Sequence, residues 1–223
     1  VEKERSHRRK RFWILGAGRF GKIAANRLSR AYPQAVLTVV DTDPEEEIGD
    51  GIRVVRQDGV RWLWNMLRSQ AETDMIVPAI PIHVVYEWMK YAVQDAYAVA
   101  PMDIPESWKK KMPHPIRGKI GQIYTSHADF ICPDNCPEPK DRCTVTKKPR
   151  PKDLFRLLRE IHIGDACAII VRSHQLLPGV GGLYPSDLSF VRETALKNAR
   201  RPLFLATACR CHGVGNAFRL IKK

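Results

Sequence analysis

The sequence predicts an α/β protein: a Rossmann-like parallel sheet with helices on both faces, plus an irregular proline- and cysteine-rich insertion. Three observations carry this. An apolar run, Phe12-Trp13-Ile14-Leu15, leads into a glycine cluster and then an amphipathic stretch. Apolar segments of strand length alternate with segments of helical period through the first hundred residues. Nine of the 16 prolines then fall between Pro101 and Pro151, where the alternation stops.

The elements follow in order. Phe12–Leu15 reads as a buried strand and residues 16–21 as a glycine turn. The stretch 22–32 is helical, with Ile23, Ala24, Leu28 and Ala31 on one face, and Pro33 stops it. Segments 36–40, 52–56 and 74–80 read as strands; 60–70 and 83–97 read as helices. Within 101–151 a single strand is expected, over 119–126. Beyond it come a helix over 153–161, a strand over 166–172, a helix from Ser186 or Asp187 to about Arg200, and a last strand over 202–207. The expected organisation is a basic arm over 1–11, a dinucleotide-binding half over 12–100, an insertion or linker over 101–151, and a second α/β part over 152–223 that could continue the same sheet.

The chain has 223 residues, 44% of them hydrophobic and 27% charged, enough to bury a core without disulfide staples. No run reaches the roughly 18 apolar residues of a membrane helix, and Phe12–Leu15 is too short for a signal-peptide core, so a reducing cytoplasm is the expected location. Formal net charge is +13, concentrated in the N-terminal arm, Lys109–Lys111, Lys147–Lys152 and the stretch after Glu193. That excess suits an anionic partner, but no nucleic-acid motif accompanies it. There is no G-x-S-x-G elbow, Walker loop or H-E-x-x-H, so hydrolase, P-loop and zincin chemistry find no support.

Gly16-Ala17-Gly18-Arg19-Phe20-Gly21 fits G-x-G-x-x-G, with a strand before it, a helix after it, and Asp41 at the end of the next strand, 20 positions beyond Gly21. Gly16 would allow the tight turn, Gly18 the approach of a pyrophosphate, and Gly21 close packing of helix on strand. Amides around Arg19 and Phe20 at the helix start would hold phosphate, and Asp41 would accept from the ribose hydroxyls, favouring NAD over a 2′-phosphorylated cofactor.

Phe12 through Lys22, then Val39-Val40-Asp41-Thr42-Asp43-Pro44-Glu45, resembles the NAD-binding domain of Trk-type potassium-uptake regulatory proteins (RCK or KTN). Ile52 through Gly59 is similar to that family's third strand, although Gln57-Asp58 stands where the family has Gly-Asp. The likeness spans residues 12–75 and implies NAD(H) binding, regulation of potassium transport, homodimers and a membrane transporter partner. The proline turn over 76–83 looks more like saccharopine-dehydrogenase-type oxidoreductases.

Cys132, Cys136 and Cys143, with Cys209, Cys211 and His212, could hold zinc or an iron–sulfur cluster. A redox disulfide or plain thiols are the rival readings, and Cys167 reads as a small hydrophobe. Arg172-Ser173-His174 precedes a second glycine cluster, Gly179 to Gly182, a candidate anion nest. His174, His212 and His83 are the candidate acid–base residues. Three functions remain open: a nucleotide-responsive regulator, an NAD(P)-dependent oxidoreductase, or a basic module for nucleic acid or a partner.

Overall fold

The computed structural model describes residues 8–44 and 48–223. The first seven residues of the basic arm and Glu45, Glu46 and Glu47 of the acidic stretch lie outside the described residues. The chain forms two compact units, one comprising the chain up to Pro81 with Gly182–Pro185, the other Ile82–Gly181 with Ser186–Lys223.

The first unit runs β1 (Arg11–Leu15), α1 (Arg19–Ala31), β2 (Val36–Asp41), β3 (Arg53–Arg56), α2 (Gly59–Arg68) and β4 (Met75–Pro78). Its strands are parallel, in the order β3-β2-β1-β4. Side chains on both faces of β1 and β2 are buried, as a parallel sheet covered by helices requires. Phe12 meets Tyr32 at the end of α1, ring centroids 5.4 Å apart, and Trp13 meets Trp62 of α2 at 5.0 Å. Successive residues of a strand point to opposite faces, so α1 and α2 lie on opposite faces. The outer edge of β4 is closed by Leu183, whose N–H and C=O both pair with Ile76. Arg8 donates to Glu72 and Asp74, at 2.6 Å each, so the described end of the arm is tied down by acids.

The second unit holds α3 (Val84–Val93), β5 (Tyr97–Pro101), α4 (Glu106–Lys109), β6 (Ile116–Arg117), β7 (Gln122–Ser126), α5 (Leu154–Glu160), β8 (Cys167–Arg172), the hairpin β9 (His174–Leu177) and β10 (Val180–Gly182), α6 (Pro185–Lys197), β11 (Leu203–Ala208) and β12 (His212–Lys222). Its main sheet runs β6-β7-β12-β11-β8, with β5 also on β12. Only β8 and β11 are parallel there; β12 is antiparallel to all its partners.

Four sequence expectations are corrected. The second half does not continue the first sheet, because β12 and its antiparallel partners build another. The first unit ends at Pro81, not near residue 100, since β5 pairs along β12 from Tyr97 to Pro101. Residues 101–151 are not wholly an insertion: Ile104, Trp108, Met112 and Ile123 lie in one buried cluster with Leu154, Phe155 and Phe204. The strand after Pro202 is not the last, because β12 follows it.

His83, just before α3, is 3% exposed. Its Nδ1–H donates to Asn216 Oδ1 at 2.7 Å, so Nε2 accepts from the Thr207 hydroxyl at 2.9 Å. Burial holds this imidazole neutral, with its pKa lowered from 6.5 to about 4 against the opposing Asn216 bond. A buried neutral histidine stabilises the fold fully above its unfolded pKa and loses that contribution as pH falls toward its folded one. We expect about 3 kcal/mol of stability to be lost between pH 6.5 and 4, read by urea unfolding at each pH. A His83→Gln variant should be less stable at pH 7.5 and should lack this part of the acid dependence. Gly21→Ala should cost more than about 2 kcal/mol, because its Cβ would stand 1.9 Å from the Gly16 carbonyl oxygen.

Candidate functional site

The glycine turn joins β1 to α1 at the carboxyl ends of the parallel strands, beside the β1–β4 neighbourhood where strand order reverses. Gly16 has φ +107°, and a Cβ there would meet Ala79 O at 2.8 Å. Its N–H donates to Val40 O at 2.8 Å, and Ala17 N–H donates to Asp41 Oδ2 at 2.6 Å. Asp41 Oδ1 accepts from Asp43 N–H at 2.9 Å. Partial burial works against ionisation of Asp41, but the amide bonds from Ala17 and Asp43 outweigh it and hold its pKa below the usual carboxylate range. The carboxylate is therefore charged at neutral pH and locked to the turn.

Gly18 differs from its neighbours. Its φ of −66° suits any residue, and nothing lies within 4 Å of where its Cβ would be. It is the N-cap of α1, yet no side chain caps that helix and its first turn carries no acid. Beside the Asp41 carboxylate on Ala17, the amides of this first turn carry the partial positive charge of a helix start. Arg19 lies over the exposed ring of Phe20, 5.6 Å from its centroid. The structure brings together Gly16, Gly18, Arg19, Phe20, Gly21 and Asp41 as the spacing predicts. Ala79 and Ile80, within the proline turn over 76–83, back the glycine turn, but nothing in the sequence marks either one individually.

The cysteines divide. Cys132, Cys136, Cys143 and Cys211 lie near enough that burial first, then the charges of the other three thiols, push the Cys132 thiol up. Cys209 is set apart: burial, then Glu138, push its thiol up to about 12. Cys143 goes the other way, lowered by hydrogen bonds from Thr146 and from the Val145 amide. Arg150 donates to the Cys211 sulfur. Among the described residues no three His, Cys, Asp or Glu side chains form a group that could hold a metal ion. Hydrogen bonds hold the segment in place. Glu138 accepts from Arg210 N–H at 2.5 Å, Asp153 from Arg210 Nη1 at 2.8 Å, and Cys136 O from Gln175 Nε2 at 2.7 Å.

The histidines fall in three places. His83 is a buried clamp with both nitrogens engaged, which corrects its candidacy as an acid–base residue. His212 opens β12, with Nδ1 3.9 Å from Cys209 Sγ. His174 lies in a cleft beside Arg172 and Asp187. The second glycine cluster is a hairpin turn at Pro178-Gly179, not an anion nest: Gly179 N–H donates to Cys136 O at 3.2 Å.

Residues 62–221 match a family model described as "Uncharacterized protein, C-terminal domain" (AF_1314_C). The chain belongs to this family. A relative described as "Uncharacterized protein", from Archaeoglobus fulgidus, is 31% identical over 221 residues, covering 92% of this chain and 98% of the relative. No solved structure matches. Among the described residues no helix is long and apolar enough to cross a membrane.

The thiol environments predict an order of alkylation by iodoacetamide near pH 8. Cys143 should react first and Cys209 last, read by peptide mass spectrometry of timed samples.

Proposed function

We propose that the first unit of this AF_1314_C family member binds a dinucleotide, NAD(H), at the Gly16–Gly21 turn, and that binding is regulatory rather than catalytic. One observation carries the reading: Gly18 has neither a backbone nor a packing reason to be glycine. Gly16 needs its positive φ, and Gly21 needs its missing Cβ. At Gly18 open space is left over an uncapped helix start, where a pyrophosphate would meet backbone amides. Asp41, ionised and held by Ala17, suits ribose hydroxyls and repels a 2′-phosphate.

Regulation is favoured over turnover because the turn offers backbone amides and a carboxylate locked by Ala17 and Asp43, groups that bind rather than move a proton. The likeness of residues 12–75 to Trk-type regulators supports the same direction, with a cytoplasmic site of action and a potassium transporter as partner. In this reading Cys143 supplies the redox-responsive thiol.

The test separates folding from binding. Titration with NADH, followed by nucleotide fluorescence, should saturate without oxidation when carbonyl substrates are added. Gly18→Val should leave the melting temperature within a few degrees yet weaken NADH at least about tenfold, equivalent to about 1.4 kcal/mol. Asp41→Asn should narrow the preference for NADH over NADPH. Unchanged NADH affinity in Gly18→Val would overturn the proposal.

A further inference from the structure

A cleft of about 450 Å3 opens in the second unit, between α5, the end of β8 and α6. That volume suits a small ligand. Its floor is the ring of Phe155, itself 3% exposed. Three guanidinium groups gather on that ring: Arg172 at 4.7 Å from the centroid, Arg159 at 5.6 Å and Arg156 at 5.8 Å. Cation–π attraction offsets part of their mutual repulsion.

Two acids lie near these three cations. Asp153 lies 3.5 Å from Arg156 but also accepts from Arg210 at 2.8 Å. Asp187 acts on His174, opposing burial and Arg172, which lower that imidazole's pKa. His174 is then a neutral hydrogen-bonding group rather than a fourth cation. Arg159 is aimed by its bond to Ile170 O at 3.5 Å, and Arg172 by its place at the carboxyl end of β8. On the wall Phe190 keeps 52% of its surface exposed, an apolar face beside a cationic floor.

We propose that this cleft binds a small organic phosphate monoester, with Arg159 and Arg172 on the phosphate oxygens and Phe190 against the organic group. A monoester carries a charge of about −2 near neutral pH and three acceptor oxygens, which suits clustered guanidinium forks better than a carboxylate does. The concave, ring-floored shape favours a compact ligand over a polymer backbone. The site lies wholly in the second unit, apart from the residues of the glycine turn, and does not rest on nucleotide binding there.

Calorimetric titration of the full chain with phenyl phosphate tests it. Phenyl phosphate should saturate the protein one to one and be displaced by inorganic phosphate, with benzoate much weaker. Arg172→Gln should weaken it by about tenfold or more, with NADH affinity unchanged. Asp187→Asn should tighten it, because a repelling charge is removed; a purely structural role for these residues would not produce that gain. Phe190→Ser should weaken phenyl phosphate but not inorganic phosphate. If Arg172→Gln does not fold, Arg159→Gln replaces it. Three results would overturn the proposal: no saturation at millimolar phenyl phosphate, equal binding of benzoate, or an RNA oligomer whose binding depends on Arg172 and is not displaced by phosphate.

Discussion

Between β1 and α1 two stretches of backbone approach so closely that no side chain fits. A Cβ on Gly21 would stand 1.9 Å from Gly16 O. That contact sets where α1 begins relative to β1, and much of the first unit follows from it. With α1 seated, the turn reaches β2 through Val40 O and Asp41, and the segment after β4 through Ala79. Three strand ends therefore converge on one rigid backbone turn. For the proposed nucleotide site, the same rigidity means that the groups meeting an anion would be amides already held by the packing.

The second unit is organised differently, around β12. One edge of that strand pairs with β11. The other pairs first with β7, over His212–Asn216, and then with β5, over Phe218–Lys222. The handover falls at Ala217, whose N–H donates to Gly121 O at 2.8 Å and whose C=O accepts from Met102 N–H at 3.0 Å. Gly121 has φ +76°, and a Cβ there would stand 2.7 Å from Ala217 O. His83 fastens to Asn216, one residue away, and so ties the start of α3 to the strand at its most irregular point. A polar clamp in a core is stable when every member is satisfied, and here both imidazole nitrogens are.

Much of the first unit was legible because its signals are local. The run Phe12–Leu15, the glycine spacing and the acid ending β2 each act over a few residues. The second unit was less legible because its signals are not. In β12, Gly213 and Gly215 look like loop residues, yet they make room for Ala208 and the ring of Phe204, whose atoms would stand 2.9 and 2.6 Å from added Cβ atoms. β5 was hidden because the chain from α3 stays apolar through Tyr97–Pro101, with only a short turn to separate them. The unit boundary was hidden because α3 follows β4 as a crossover helix would, while the partners that hold its start come from residues 207 and 216. Of the cleft, only Arg172 and His174 could be nominated. Phe155, Arg156 and Arg159 lie on a helix whose pattern reads as an ordinary amphipathic one, and only the fold brings them to the end of β8.

The distribution of charge bears on which kind of anion this chain is built to meet. A net charge of +13 suggests a surface for polyanions. Several of the basic positions nevertheless have near partners: Arg8 and Arg11 with Glu72, Lys109 with Glu106, and Lys152 with Glu160. The guanidinium groups of Arg159 and Arg172, with that of Arg156 beside Asp153, crowd onto one ring at a cleft. Positive charge spread along an open face serves a polymer backbone, because each phosphate needs its own neighbour. Charge concentrated in a concavity raises the local potential and serves one compact anion. As proposed, the glycine turn would meet an anion with helix amides, and the cleft would meet one with side chains. The two proposals therefore share one chemistry, a small phosphate-bearing ligand, and both stand against a nucleic-acid reading of the net charge.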